Sequence, residues 1–116
     1  MLFSIVPGMR AARRIGAAER CENRGDLQGA LRARSEALEI LGRSDVDLET
    51  PWCRSGASVA LMGYAYTAHR LGLSGELREM LTRWRPTYLR WMQSPTTPDE
   101  ARFLKWFEEV LDSSAR

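Results

Sequence analysis

The chain has 116 residues, enough for one small domain with a core of its own. Hydrophobic residues make up 44% and charged residues 28%, which is typical of a globular protein and excludes a disordered chain. The net charge of +2 gives no general attraction to nucleic acid, and no run approaches the ~20 apolar residues that cross a bilayer. We therefore expect a single cytoplasmic domain over residues 1–116.

The chain is poor in residues that bind metals. Its two cysteines, Cys21 and Cys53, are far apart and form no CxxC pair, and His69 is the single histidine. A zinc site requires several such ligands close together. We expect no metal site, no other cofactor, and two reduced thiols.

Apolar residues recur at intervals of three and four positions almost throughout the chain, whereas residues with a strand preference never alternate over a useful length. This period predicts an all-α fold of about five helices, separated by proline and glycine. Residues 1–8 are predicted to form an N-terminal extension that docks onto the core. Two antiparallel helical hairpins and a C-terminal helix are predicted to follow it.

The first hairpin is predicted over residues 9–42. Its first helix begins near Met9, and Gly25 is expected to end it in the left-handed conformation. Asp26 is expected to cap the second helix, whose apolar residues form two stripes at different angles. A helix with two apolar stripes needs two neighbours.

The second hairpin is predicted over residues 50–92, starting with a threonine cap and a proline. Its first helix is rich in small residues that let another helix approach closely. Gly72 ends that helix, and Ser74 is the expected cap of the next one. Pro86 predicts a kink or break near Arg85, because proline removes a backbone donor.

The C-terminal helix is predicted over residues 97–112. It begins with a cap threonine and a proline, followed by two acidic residues where the helix dipole is positive. Its later residues form one apolar face. This combination predicts a well-defined helix start.

The Gly25-Asp26 turn follows a helix that carries Ala18 and precedes a helix that carries Ala30 and Ala37, seven residues apart. In these positions the segment 11–42 resembles a tetratricopeptide repeat. The resemblance implies a helical hairpin whose alanines lie where the paired helices touch.

A second segment, 58–91, contains Leu61-Met62-Gly63-Tyr64-Ala65-Tyr66, which is similar to the Leu-Gly-x-Ala-Tyr segment of the same family. It departs from the family pattern at Trp84, where a small residue is expected. The resemblance implies a groove, formed by the first helix of each hairpin, that accepts a peptide or a partner helix. The alternative is a compact helical bundle with a similar turn.

These features favour a non-catalytic protein-interaction or adaptor domain that binds a partner protein or a second copy of itself. Trp52, Val59 and Tyr66 lie on one side of the third helix, and His69 lies near its end. We expect these four residues to contact the partner.

One alternative is a nucleic-acid-associated subunit that uses the basic segment 78–90. Arg83, Arg85 and Arg90 could contact phosphates, and aromatic residues lie between them. Those aromatic residues are Trp84, Tyr88 and Trp91. They share a helical face with leucines, however, so we expect them in the core.

A third hypothesis is an enzyme or ligand-binding bundle with a pocket near Tyr64, Tyr66 and His69. A general base needs a partner that orients it, and His69 has no acidic residue three or four positions away. The sequence therefore assigns no catalytic residue.

Overall fold

A computed structural model describes the backbone of residues 2–94 and 97–114 and the side chains of residues 7–94 and 97–113. Within these residues the chain forms five α-helices and no strand, which confirms the predicted all-α class. The helices are α1 (Leu2–Asn23), α2 (Leu27–Leu41), α3 (Pro51–Arg70), α4 (Ser74–Met92) and α5 (Pro98–Ser114). None of the described helices has the length and apolar character needed to span a membrane.

The chain divides into two compact units, Met1–Leu71 (unit 1) and Gly72–Arg116 (unit 2). In unit 1, α2 packs against both α1 and α3, as its two apolar stripes predict, and in unit 2 α4 packs against α5. The two helices of the predicted second hairpin, α3 and α4, thus belong to different units. Within unit 1, α3 packs against α2 and α1.

The turn between α1 and α2 is the predicted helix stop. Gly25 has a φ of 77°, and the Asp26 N–H donates to the Cys21 carbonyl at 2.8 Å. The Asp26 carboxylate accepts a hydrogen bond from the Gly29 N–H at 2.9 Å and so caps α2. Both roles expected at this turn are confirmed.

Helix α1 starts earlier than predicted, because it begins at Leu2 and includes Pro7. Pro7 lies just beyond the first four N–H groups, which lack an intrahelical partner in any helix, so it removes one intrahelical hydrogen bond. Gly8, one residue later, is buried, and a Cβ there would lie 3.0 Å from the Trp52 indole. The expected docking of the N-terminal extension concerns side chains 1–6, which lie outside the described residues.

The starts of the later helices differ in their capping. The Thr97 hydroxyl accepts from the Glu100 N–H at 3.0 Å, as expected for a cap. Thr50 precedes α3 as predicted, but its side chain makes no capping bond. Leu73, and not Ser74, holds the cap position of α4, because the φ of 72° at Gly72 places the turn one residue earlier.

Pro86 does not break α4, which runs from Ser74 to Met92. The proline is exposed, whereas Trp84 and Tyr88 on either side of it are buried. We infer that burial of these aromatic residues compensates for the hydrogen bond that Pro86 cannot make.

Small side chains fill the contact between α1 and α2. Ala18, Ala30 and Ala33 are buried together, with the half-buried Ala17 and Cys21 packed against them. Because alanine ends at Cβ, the two helices approach closely here. Small residues at this contact agree with the prediction for the first hairpin.

Two glycines of α3 lie against side chains of α2. A Cβ on Gly56 would lie 3.6 Å from Leu41 Cδ1, and a Cβ on Gly63 would overlap the guanidinium of Arg34. Moving along α2 from Arg34 to Leu41 corresponds to moving back along α3 from Gly63 to Gly56. The two helices are therefore antiparallel, in a register set by the two glycines.

Arg34 joins all three helices of unit 1. The residue is only 6% exposed, and its Nε and Nη2 donate to Glu22 Oε1 of α1 at 2.9 and 2.7 Å. Its Nη1 is buried and has no hydrogen-bond partner. A buried guanidinium is tolerated only when it is paired, so Glu22 keeps Arg34 inside while Gly63 leaves room for it.

We expect Gly63→Ala to destabilise unit 1 by about 1–3 kcal/mol, because the new methyl group overpacks against the guanidinium. The cost should fall by about 1 kcal/mol or more when Arg34 is replaced by the unbranched, flexible methionine. A double-mutant cycle measured by urea unfolding gives this coupling. Equal costs of Gly63→Ala in the two backgrounds would show that Arg34 does not occupy this space.

Candidate functional site

Among the described side chains, four large hydrophobic residues are exposed, and all of them belong to unit 1. They are Met9 (45% exposed), Trp52 (62%), Val59 (39%) and Tyr66 (53%). Single exposed apolar residues are normal on a protein surface, but three of these lie on one helix, α3. This concentration marks α3 as the candidate site.

The exposed residues of α3 follow a heptad pattern. Beginning at Trp52, the residues on this side are separated alternately by three and four positions, as at the a and d positions of a coiled coil. Five of the six are exposed and Met62 is half-buried. We call this set the α3 stripe: Trp52, Ser55, Val59, Met62, Tyr66 and His69.

The α3 stripe is unusual for a helix face in contact with solvent, because no charged residue lies between Arg54 and Arg70. Surface helices normally place charged residues on the exposed side and apolar residues on the buried side. Here the buried side is also apolar, with Ala57, Ala60 and Leu61 each at 0% exposure. Helix α3 thus has apolar residues on both sides.

Trp52 is held in place by α1. The position of a Cβ on Gly8 would be 3.0 Å from both Cδ1 and Nε1 of the indole, so the ring lies against the α1 backbone. Met9 follows directly in α1 and is also exposed. The contact with Gly8 thereby holds the exposed indole in position.

The structure places all four predicted partner-contact residues, Trp52, Val59, Tyr66 and His69, on the same exposed side of α3. The prediction missed Ser55, Met62 and Met9. The alternating spacing could have identified the first two. The sequence gives no signal for Met9, because its exposure depends on how α1 packs against the other helices.

The arginines of the nucleic-acid hypothesis do not form one cluster. Arg83 and Arg90 are exposed and, being seven residues apart, share one side of α4. Arg85 lies on another side and is paired with Glu108 of α5, to which its Nε and Nη2 each donate at 2.9 Å. Of the three arginines, Arg83 and Arg90 therefore remain as candidate phosphate contacts.

The aromatic residues of α4 are buried, as predicted. Trp84 is 4% exposed, Tyr88 0% and Trp91 2%. The ring centroids of Trp84 and Trp91 lie 6.4 Å apart, and Tyr88 meets Phe107 of α5 at 5.5 Å. Because these rings are buried, bases cannot stack on them.

Glu108 connects the two helices of unit 2. The Tyr88 hydroxyl donates to its Oε1 at 2.7 Å, beside the two bonds from Arg85. The hydrogen bonds from Arg85 lower the pKa of Glu108, whereas burial raises the pKa of Tyr88. A shallow cavity of about 320 Å³ between α4 and α5 is lined by Arg85 and Glu108, together with Arg78 and Asp112.

The residues of the proposed enzyme pocket are separated. Tyr64 is buried, whereas Tyr66 and His69 are exposed on the other side of α3. A cavity of about 300 Å³ contacts Tyr64 and residues of α2, but neither Tyr66 nor His69. Within residues 7–94 and 97–113, no three His, Cys, Asp or Glu side chains are arranged to hold a metal ion.

Among the described residues, neither Cys21 nor Cys53 is in a disulfide. Cys53 is buried, and burial raises the pKa of its thiol, with a smaller contribution from the charge of Asp47. Cys21 is half-buried and accepts a hydrogen bond from Arg24 Nη2 at 3.6 Å. A buried thiol with a raised pKa is a poor nucleophile, so Cys53 serves packing.

Comparison with protein-family models, curated proteins and solved structures found no match to this chain. The resemblance to tetratricopeptide repeats therefore stays a prediction based on the residues of the first hairpin.

We expect Glu108→Gln to destabilise unit 2 at neutral pH, because the charged bonds from Arg85 are lost. The native pKa of Glu108 is lowered, so its contribution is complete above the ordinary carboxylate range and is lost as pH falls through the native pKa. The difference from the unmodified protein should therefore shrink with acidification. Urea unfolding at a series of pH values measures it.

The matched control is Glu109→Gln, which removes the exposed neighbouring carboxylate. An equal effect of the two substitutions at every pH would contradict a specific role for Glu108.

Proposed function

We propose that this protein is a non-catalytic interaction module whose α3 stripe binds an α-helix of another polypeptide chain. The observation that supports this most directly is the uncharged, exposed row of Trp52, Val59 and Tyr66, with Trp52 at 62% exposure. A monomeric surface gains nothing from exposing such residues along one helix, whereas an interface does.

The spacing of the stripe favours a helical partner. Residues separated alternately by three and four positions form a nearly straight row on a helix, and a second helix lying along that row meets all of them. In an extended peptide the side chains alternate between two faces with a period of two residues, so they would not line up with residues spaced by three and four positions. The partner helix would pack on unit 1 as an additional helix beside α3.

The residue types suit binding energetically. Tryptophan and tyrosine are enriched among the residues that dominate interface energies. Burial of a large apolar side chain contributes roughly 1.5–3 kcal/mol, so Trp52, Val59 and Tyr66 together can offset the entropy lost on association. The contact of Trp52 with Gly8 reduces this entropic cost of association, because the indole is already held in place before the partner binds.

Two further observations support an adaptor role in the cytoplasm. The tetratricopeptide-like first hairpin implies a binding surface that includes α1 and α3, and the exposed Met9 of α1 follows the glycine that contacts Trp52. Free thiols at Cys21 and Cys53 fit a reducing compartment.

A designed three-heptad helical peptide with leucine at its a and d positions tests this proposal. We expect it to bind the dilute protein and to shift the Trp52 emission to shorter wavelength, because the indole leaves water. Val59→Glu should weaken binding about tenfold or more, equivalent to at least ~1.4 kcal/mol. Isothermal titration calorimetry measures the affinity.

Gln28→Glu is the matched control, because it adds the same charge at an exposed position of α2 outside the stripe. We expect this variant to bind like the unmodified protein. Equal affinity of the Val59→Glu variant, or no binding of the peptide by the unmodified protein, would overturn the proposal.

A further inference from the structure

The two ends of the α3 stripe carry opposite charges. Arg70, the last residue of α3, is exposed beside His69, and α3 contains no acidic residue. The loop before α3 is acidic, with exposed Asp45, Asp47 and Glu49. Asp45 is paired with Arg43 at 3.3 Å, and the half-buried Arg54 lies two residues after Trp52. Asp47 is therefore the carboxylate that matters at the Trp52 end, and Arg70 is the cation at the Tyr66 end.

Hydrogen bonds fix Asp47 close to the start of α3. Its carbonyl accepts from the N–H of Thr50, the residue that precedes the helix, at 3.3 Å. Its carboxylate accepts from the Glu49 N–H at 2.9 Å. The charge of Asp47 also raises the pKa of Cys53, which follows Trp52 directly. The negative charge of Asp47 is thus held in the turn that leads directly into α3.

We propose that the helix bound by the α3 stripe is the α3 stripe of a second copy of this chain, in the antiparallel direction. This proposal rests on the proposed function, because it requires that the stripe accept a helix. A dimer with two-fold symmetry needs a surface that is complementary to itself. An apolar row with opposite charges at its two ends meets that requirement when two copies run antiparallel.

In that arrangement each a position faces a d position of the other copy. The large Tyr66 then faces the small Ser55, Val59 faces Met62, and Trp52 faces His69. The large Tyr66 is therefore placed opposite a small side chain, and Val59 opposite a flexible one. At both ends Arg70 of one copy approaches Asp47 of the other copy. The Arg70 guanidinium also reaches the face of the Trp52 indole of that other copy.

The alternative directions and partners fit less well. A parallel pair would bring Arg70 against Arg70 and Asp47 against Asp47, and like charges at an interface are unfavourable. A helix from another protein would also need end charges opposite to those at the two ends of the α3 stripe. One helix from each copy forms an interface smaller than standard ones, so we expect a weak dimer that dissociates on dilution.

Sedimentation equilibrium of the full chain over a range of concentrations tests the proposal. We expect a monomer–dimer equilibrium in which Val59→Glu raises the dissociation constant at least tenfold, because two carboxylates are then buried near the symmetry axis. Arg70→Asp should raise it several-fold. Arg32→Asp, the same charge change at an exposed residue of α2, should leave it unchanged.

Exchanging the charges at positions 47 and 70 tests whether Asp47 and Arg70 form a pair across the dimer. Asp47→Arg alone should weaken the dimer, and the Asp47→Arg/Arg70→Asp double variant should restore it to within about threefold of the unmodified protein. Restoration also shows that the variants fold.

A protein that stays monomeric at every concentration, or a double variant that dimerises no better than either single one, overturns the dimer proposal. Binding of the designed peptide by such a monomer would leave the proposed function intact. Failure of both experiments would remove both proposals.

Discussion

The buried guanidinium of Arg34 is the contact on which the arrangement of the first three helices depends. It pairs with Glu22 of α1 and lies against Gly63 of α3. Since a charge this deeply buried must keep its partner, the contact sets the positions of α1 and α3 relative to α2. With Leu41 against Gly56, it also determines which side of α3 faces α2. The α3 stripe lies on a neighbouring side and stays exposed.

The two units use their large apolar residues in opposite ways. In unit 2, Trp84, Tyr88 and Trp91 are buried, and Tyr88 meets Phe107 of α5. In unit 1 many of the buried residues are alanines, while Trp52 and Tyr66 are exposed. The exposed surfaces of these two aromatic side chains can therefore contact a partner.

The sequence predicts those features that depend on local chemistry. The glycine stops at Gly25 and Gly72, the cap at Asp26 and the threonine cap of α5 all follow from side chains within a few residues of each helix end. Helical periodicity likewise identifies the buried aromatic residues of α4 and groups Trp52, Val59 and Tyr66 on one side of α3. Because α3 is apolar on both sides, periodicity does not show which side is exposed.

Features that depend on contacts between helices could not be read from the sequence. Arg34 occupies a position where a charged residue normally faces solvent, and only the glycine at position 63 of another helix makes its burial possible. The pairing of Arg85 with Glu108 joins residues 23 positions apart. The assignment of α3 and α4 to different units depends in the same way on which apolar faces match.

The central claim, that the α3 stripe is open in the isolated chain, is tested most directly by the fluorescence of Trp52. Subtracting the emission of a Trp52→Phe variant from that of the unmodified protein, in solutions dilute enough for a monomer, isolates this indole from the others. We expect emission at long wavelength with strong quenching by acrylamide, as for an indole in water. Short-wavelength emission that resists acrylamide would show that Trp52 is covered within the chain and would contradict the account.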